Sequence, residues 1–213
     1  PGKAIYKNIL EIAPANCLLI SKENIKVWEY WKVTLQENKE TVEEAAEHVR
    51  LLLFDAIKRQ LVRDVPICTF LSGGLDSSLV SAIVQDNLPD KNLNTYSFDF
   101  VDNDINFKSN AFQISRDKPF VDIMVNHINS KHKYLECNNS NQIDCLFKAV
   151  DARDIPNMAD VESSMLYFCN LVSKECRVTL TGECADEIFG GYPWFHRKEM
   201  YIQNTSMVLR FKP

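Results

Sequence analysis

The stretch Leu71-Ser72-Gly73-Gly74-Leu75-Asp76-Ser77-Ser78 constrains this chain more than any other. The apolar run Val65 to Leu71 leads into it, and Leu79-Val80-Ser81-Ala82-Ile83-Val84 follows with few helix breakers. The order is a buried strand, a tight glycine turn and a helix N-terminus. Glycines let backbone approach a ligand, and the free N–H groups of a first helical turn point at it, so the arrangement suits an anion. Ser72, Ser77 and Ser78 add hydroxyls. Asp76 would repel a phosphate unless a divalent cation lies between them. The plainer alternative is a strand-to-helix turn with an Asp/Ser cap. Two glycines, three hydroxyls and an acid in so short a stretch favour phosphate binding.

No Gly-Lys-Ser/Thr follows, so this is not a Walker A loop, and it lacks the Gly-x-Gly-x-x-Gly dinucleotide turn. It resembles the pyrophosphate-binding loop of the N-type ATP pyrophosphatases, Ser-Gly-Gly-x-Asp-Ser, at all of its positions. Those enzymes split ATP between the α and β phosphates and adenylate a substrate.

A length of 213 residues suffices for one α/β domain with a core and a short appendage. A net charge of −5 argues against a general nucleic-acid partner. No apolar run reaches membrane-spanning length and no signal peptide opens the chain, so a cytoplasmic location is expected. The seven cysteines are odd in number and lack a Cys-x-x-Cys pair, which fits reduced, mostly buried thiols. The four histidines lack metal-ligand spacing; His48 falls on a helix and His132 just before a strand.

Residues 1–36 read apart from the rest. Tyr6–Ile12 and Cys17–Ile20 are strand-like runs split by Pro14-Ala15-Asn16, and Trp28, Tyr30 and Trp31 cluster after them. This is either the end of an upstream domain or an edge hairpin of the same domain. Residues 37–213 read as an α/β domain. Thr41 and Glu44 form a capping box that opens a long amphipathic helix, expected to run to Arg63-Asp64 and to pack on the sheet. Strands are expected at Asn94–Phe100, Lys133–Cys137 and Arg177–Thr181, and helices at Asp117–Ser130, Asn141–Asp151 and Ser163–Lys174. The polar connection Val101–Arg116 is long. Strands alternating with helices predict a doubly wound parallel sheet with helices on both faces and ligands at the carboxyl ends of the strands.

That rule gives meaning to Thr181-Gly182-Glu183-Cys184-Ala185-Asp186-Glu187-Ile188-Phe189-Gly190-Gly191-Tyr192, which also follows a strand and opens with glycine. Five of the six glycines lie here or in the first loop. Asp186 and Glu187 also suit a solvated first helical turn. Glu183, directly beyond a buried strand, is placed to face the crevice.

Together the two stretches resemble the synthetase domain of glutamine-dependent asparagine synthetases, within the PP-loop, adenine nucleotide alpha hydrolase-like group. Ile9 to Pro14 followed by Tyr30-Trp31 resembles the junction that ends that family's glutaminase domain, so residues 1–36 would be its tail and 37–213 a truncated synthetase domain. The resemblance covers roughly residues 5 to 196.

The resemblance implies roles. Ser72, Gly73, Gly74, Asp76 and Ser77 would hold the pyrophosphate end of ATP. Leu71 and Phe100 would contact the adenosine through their backbones, and Thr181 and Gly182 would line the other side. Asp76 and Asp186 would share Mg2+. Glu183 would be catalytic, beside the α-phosphate and the acyl adenylate. The substrates would be ATP, aspartate and ammonia from glutamine, with no nucleic acid or membrane; a homodimer is an expectation of the same kind.

Four departures stand out. The family usually has serine at Thr181. Cys184 replaces the usual Gly or Ser and is expected to change packing only. Ala152-Arg153-Asp154-Ile155-Pro156-Asn157-Met158-Ala159-Asp160 differs from the family's usual stretch, in which an arginine precedes the equivalent helix, and this leaves aspartate less firmly implied than ATP. No N-terminal nucleophilic cysteine is present, and Lys198 is too near the second loop to be the family's downstream lysine, so the chain alone is expected to be inactive. Two other readings stand beside an amide ligase: a relative adenylating another carboxylate, as in β-lactam synthesis, and a nucleotide-binding module without catalysis.

Overall fold

The computed structural model describes residues 4–109, 114–155 and 158–197, in two compact units that divide between Glu47 and His48. Lys198, residues 110–113 of the long connection and residues 156–157 lie outside the described residues.

In the first unit, β1 (Asn16–Ile20) and β2 (Ile25–Glu29) form an antiparallel hairpin in which Cys17 faces Trp28. Ser21 and Asn24 close it: the Ser21 N–H donates to the Asn24 carbonyl at 2.9 Å, and the Asn24 N–H to Ser21 Oγ at 3.0 Å. The hairpin therefore starts later than expected, and Tyr6–Ile12 is not a strand. Asn8 and Ala15 have positive φ, and the Ile9 N–H bonds back to the Tyr6 carbonyl, so this run turns on itself.

Helix α1 (Val42–Arg59) carries the expected capping box, with the Thr41 N–H to Glu44 Oε2 at 2.9 Å and the Glu44 N–H to Thr41 Oγ1 at 3.2 Å. It ends before Arg63-Asp64 because the Gln60 and Leu61 N–H groups bond carbonyls three residues back, tightening the last turn. Within the second unit, Ile57 joins a core cluster with Ile83, Val84, Leu88 and Leu93.

The second unit is built on β3 (Ile67–Phe70), β4 (Asn94–Phe100), β5 (Lys131–Cys137) and β6 (Val178–Leu180). All pairings are parallel and the order is β5-β4-β3-β6. Between them lie α2 (Leu75–Asn87), α3 (Asn103–Asn106), α4 (Lys118–Ile128), α5 (Asn139–Arg153) and α6 (Ala159–Val172). Helices α7 (Ala185–Phe189) and α8 (Pro193–His196) follow β6. His132 lies inside β5, not before it, because pairing with β4 begins at Lys131 and sets Thr95 opposite His132.

Alternation along β3 and β4 sends successive side chains to opposite faces. Cys68, Phe70, Tyr96 and Phe98 meet α6, where Phe168 stacks on Phe98 with ring centroids 4.4 Å apart. Thr69 points the other way and shares a 2.8 Å hydrogen bond with Ser81 of α2. Helices thus cover both faces, as the sequence predicts. The chain builds outwards from β3 to β5 and then places β6 on the far side of β3. The order reverses between β3 and β6, and a crevice opens beyond their carboxyl ends at such a point. All seven cysteines are free thiols, four of them buried. Among the described residues no helix is long and apolar enough to cross a membrane.

Candidate active site

The loop after β3 is shaped by its own hydroxyls. Ser77 Oγ lies 2.9 Å from Ser72 Oγ, accepts the Ser72 N–H at 3.2 Å and donates to the Gly74 carbonyl at 3.2 Å. Gly73 turns the chain at φ +77°, where a Cβ would lie 2.7 Å from Phe120 Cβ and 2.8 Å from the Val121 nitrogen. Glycine is required there on both counts. The residue preceding α2 is Gly74, with no side-chain cap. Asp76 therefore sits inside the first turn and is not its cap, and the first-turn N–H groups are left for an anion. Ser78 is buried, and its hydroxyl has no partner among the described residues.

The loop after β6 packs directly on this one. A Cβ at Gly182 would stand 2.7 Å from the Ser77 nitrogen and 2.9 Å from Asp76 Cβ. The Glu183 N–H donates to Thr181 Oγ1 at 3.4 Å, and Glu183 is exposed. Cys184 then takes φ +70° to start α7, whose first turn holds Asp186 and Glu187. Left-handed backbone is strained for a residue with a Cβ, so the cysteine changes backbone energy and not packing alone. Gly191 folds back on α7: its N–H donates to the Asp186 carbonyl at 3.0 Å, and a Cβ there would strike the Asp186 carboxylate. Tyr192 donates to Glu187 Oε1 at 2.7 Å and stacks on Trp194 at 4.3 Å. The carboxylate beside it pushes the Tyr192 hydroxyl up to about 12.

The two loops line one cleft of about 360 Å³, into which Ser72, Gly74, Asp76, Ser77, Thr181, Gly182, Glu183 and Asp186 all face. Three further residues named from the sequence lie elsewhere. Leu71 is buried behind the loop, and Gly73 packs towards α4. Phe100 lines an adjoining, more apolar hollow of about 290 Å³ with Val161 and Phe168. Phe98 and Met165 border both spaces and join them. They were missed, although alternation along β4 puts Phe98 on the face of Phe100. For Met165 no local pattern distinguishes a cleft residue from a core one.

Burial and then the nearby Asp186 charge raise the Asp76 carboxyl above its ordinary range. A carboxyl held above its range by burial and by a second carboxylate in the same cleft is one that a divalent cation would relieve. The residues present therefore fit a magnesium ion, which Asp76 and Asp186 would hold.

Arg153, the last residue of α5, is held by Glu162, with Nη2 2.9 Å from Oε1. The head of α6 instead offers Asp160 to the apolar hollow.

The asparagine synthase family model matches residues 48–210 of the chain. Asparagine synthetase (glutamine-hydrolyzing) 3 of Bacillus subtilis is 44% identical over 203 residues, which make up 94% of this chain and 33% of that protein. Asparagine synthetase B (glutamine-hydrolyzing) of Escherichia coli is 25% identical over 76% of this chain and 30% of its own length. The asparagine synthetase (glutamine-hydrolyzing) of Homo sapiens is 28% identical over 73% of this chain and 27% of its own length. The chain spans about a third of the length of these curated relatives. With a matching family model over most of its length and both strand-end loops in one cleft, the chain belongs to the asparagine synthase family.

Proposed function

We propose that this chain is the ATP-binding and carboxylate-activating part of an amide ligase. ATP is cleaved between the α and β phosphates, the side-chain carboxylate of aspartate becomes an acyl adenylate, and ammonia derived from glutamine displaces AMP to give asparagine. One observation carries this proposal: Gly182 of the second loop rests on Asp76 and Ser77 of the first, so an α-phosphorus held by one loop lies within reach of the other.

Ser72, Gly73, Gly74 and Ser77 bind the pyrophosphate end through backbone and hydroxyl donors. Phe100, Thr181 and Gly182 border the adenosine, and Leu71, named with them from the sequence, supports the loop from behind. Asp76 and Asp186 would hold magnesium, which would supply positive charge against the phosphates. Glu183 orients the incoming ammonia and takes its proton as the amide forms. Residues 1–36 are proposed as the end of an upstream glutaminase domain or a linker hairpin, and residues 37–213 as part of the synthetase domain. Free thiols throughout support a reducing, cytoplasmic setting.

The test is to incubate the protein with ATP, Mg2+, ammonia and aspartate, supplying the remaining length of its relatives where needed, and to identify the products. Pyrophosphate, AMP and asparagine are expected. ADP and inorganic phosphate in their place would refute the proposed chemistry. Pyrophosphate release with another carboxylic acid but not aspartate would move the acceptor and keep the reaction class.

A further inference from the structure

Ser97 lies in β4, outside both glycine loops, and is buried with 6% of its surface exposed. Its hydroxyl donates to the carbonyl of Leu71, the residue that joins β3 to the phosphate loop. The Leu71 N–H donates to the Tyr96 carbonyl at 2.9 Å, so β4 grips this residue by both backbone groups. The peptide between Leu71 and Ser72 is then held on both edges: its oxygen by Ser97, its N–H by Ser77 Oγ at 3.2 Å. A planar trans peptide cannot turn its N–H without turning its oxygen. Fixing one edge therefore fixes the other.

We propose that Ser97 is a positioning residue for the phosphate loop. It prevents the Leu71–Ser72 peptide from flipping. In the flipped orientation the Leu71 carbonyl oxygen would turn towards the bound anion, and the Ser72 N–H would leave Ser77. Ser77 would lose the bond that sets its hydroxyl over the Gly74 carbonyl, and the loop would trade donors for an acceptor where a polyphosphate needs donors. The consequence for nucleotide binding rests on the function proposed above; the consequence for loop order does not.

The test compares Ser97→Ala, Ser97→Thr and Ser97→Val in the whole protein. Threonine and valine have nearly the same shape and differ by the hydroxyl, so they separate lost volume from the lost bond, even if the alanine variant folds poorly. Hydrogen exchange at the Ser72 to Ser77 amides is measured without ligand, with thermal stability and Mg-ATP titration alongside. The expected result is faster exchange confined to this loop in the valine and alanine variants, wild-type exchange in the threonine variant, and Mg-ATP binding weakened about tenfold without the hydroxyl, the scale of one unmade buried hydrogen bond. Unchanged loop exchange in Ser97→Val would overturn the proposal, as would equal effects of threonine and valine. If the wild-type protein fails to bind Mg-ATP, the proposed function falls while the exchange measurement still decides the role of Ser97.

Discussion

Gly182 and Asp76 touch across the switch point of the sheet, closely enough that a Cβ on Gly182 would lie 2.9 Å from Asp76 Cβ and 2.7 Å from the Ser77 nitrogen. The two loops are 106 residues apart in sequence. They meet because β6 pairs in parallel with β3, setting Thr69 opposite Leu180, so both strands deliver their loops to one level.

Gly182→Ala is the direct test of that contact. The new methyl meets backbone and a Cβ and not a mobile side-chain tip, so the loops must separate. Overpacking of this kind costs about 1–3 kcal/mol. Chemical denaturation is expected to show that loss, and calorimetry a larger fall in Mg-ATP affinity than in stability. Wild-type affinity in the alanine variant would mean that the loops do not act on one ligand.

Asp76 carries a pH signature with a definite sign. Burial and the Asp186 charge raise its carboxyl above the ordinary 3.8. Between that value and its folded pKa, the folded chain binds more protons at this site than the unfolded chain. Stability without ligand therefore falls as pH rises through the window. Asparagine cannot ionise, so Asp76→Asn should be more stable than the parent at neutral pH, and the difference should vanish below the ordinary carboxylate range. The same variant should lose the magnesium dependence of ATP binding. Thermal melts across pH, and ATP titrations with and without Mg2+, measure the two effects. A variant that is less stable at neutral pH and keeps its magnesium response would remove Asp76 from the metal site.

The sheet was legible in the sequence because its connections are regular. Asn94–Phe100 is the strand the alternation predicts, residue for residue, and the capping box at Thr41 and Glu44 forms as spaced. The cleft residues were legible because glycine is used almost only at the two strand ends. Other features depend on partners distant in sequence. Tyr6–Ile12 has strand composition but turns back on itself at Tyr6 and Ile9, and α1 shortens when its last N–H groups take nearer carbonyls. Phe98 and Met165 become cleft residues only when α6 crosses the end of β4. The left-handed turn at Cys184 has no local signal, because cysteine is not a residue that marks positive φ.

That turn supports a stability prediction. Cys184 lines the cleft with φ +70°. Glycine adopts this conformation without a Cβ penalty, and the strain on other residues is roughly 1–2 kcal/mol. Cys184→Gly should raise stability by about 1 kcal/mol, because greater freedom of the unfolded chain offsets part of the relief. Cys184→Val should lower it, since branching at Cβ worsens the same clash. Urea unfolding of the three proteins measures the order. A valine variant as stable as the glycine variant would show that α7 starts with a different backbone in solution.

Glu183 separates binding from chemistry. It stands at the mouth of the cleft, one residue beyond the glycine that touches Asp76, and its own N–H is tied to Thr181 Oγ1 at 3.4 Å. Its backbone therefore belongs to the loop while its carboxylate remains exposed to the cleft. Glu183→Gln keeps the shape and the loop bond and removes only the capacity to accept a proton. The nucleotide is held by the first loop, so the Mg-ATP dissociation constant should stay within about twofold, a change of less than 0.5 kcal/mol. Turnover with ammonia should fall about a hundredfold or more, the scale of a lost general acid or base. If the carboxylate acts only on ammonia, pyrophosphate release without ammonia should survive in the variant while amide formation does not. Parallel assays for pyrophosphate and asparagine on parent and variant distinguish the two steps. Equal losses in Mg-ATP binding and in turnover would place Glu183 among the residues that shape the loop and leave the proton acceptor to be sought elsewhere in the cleft.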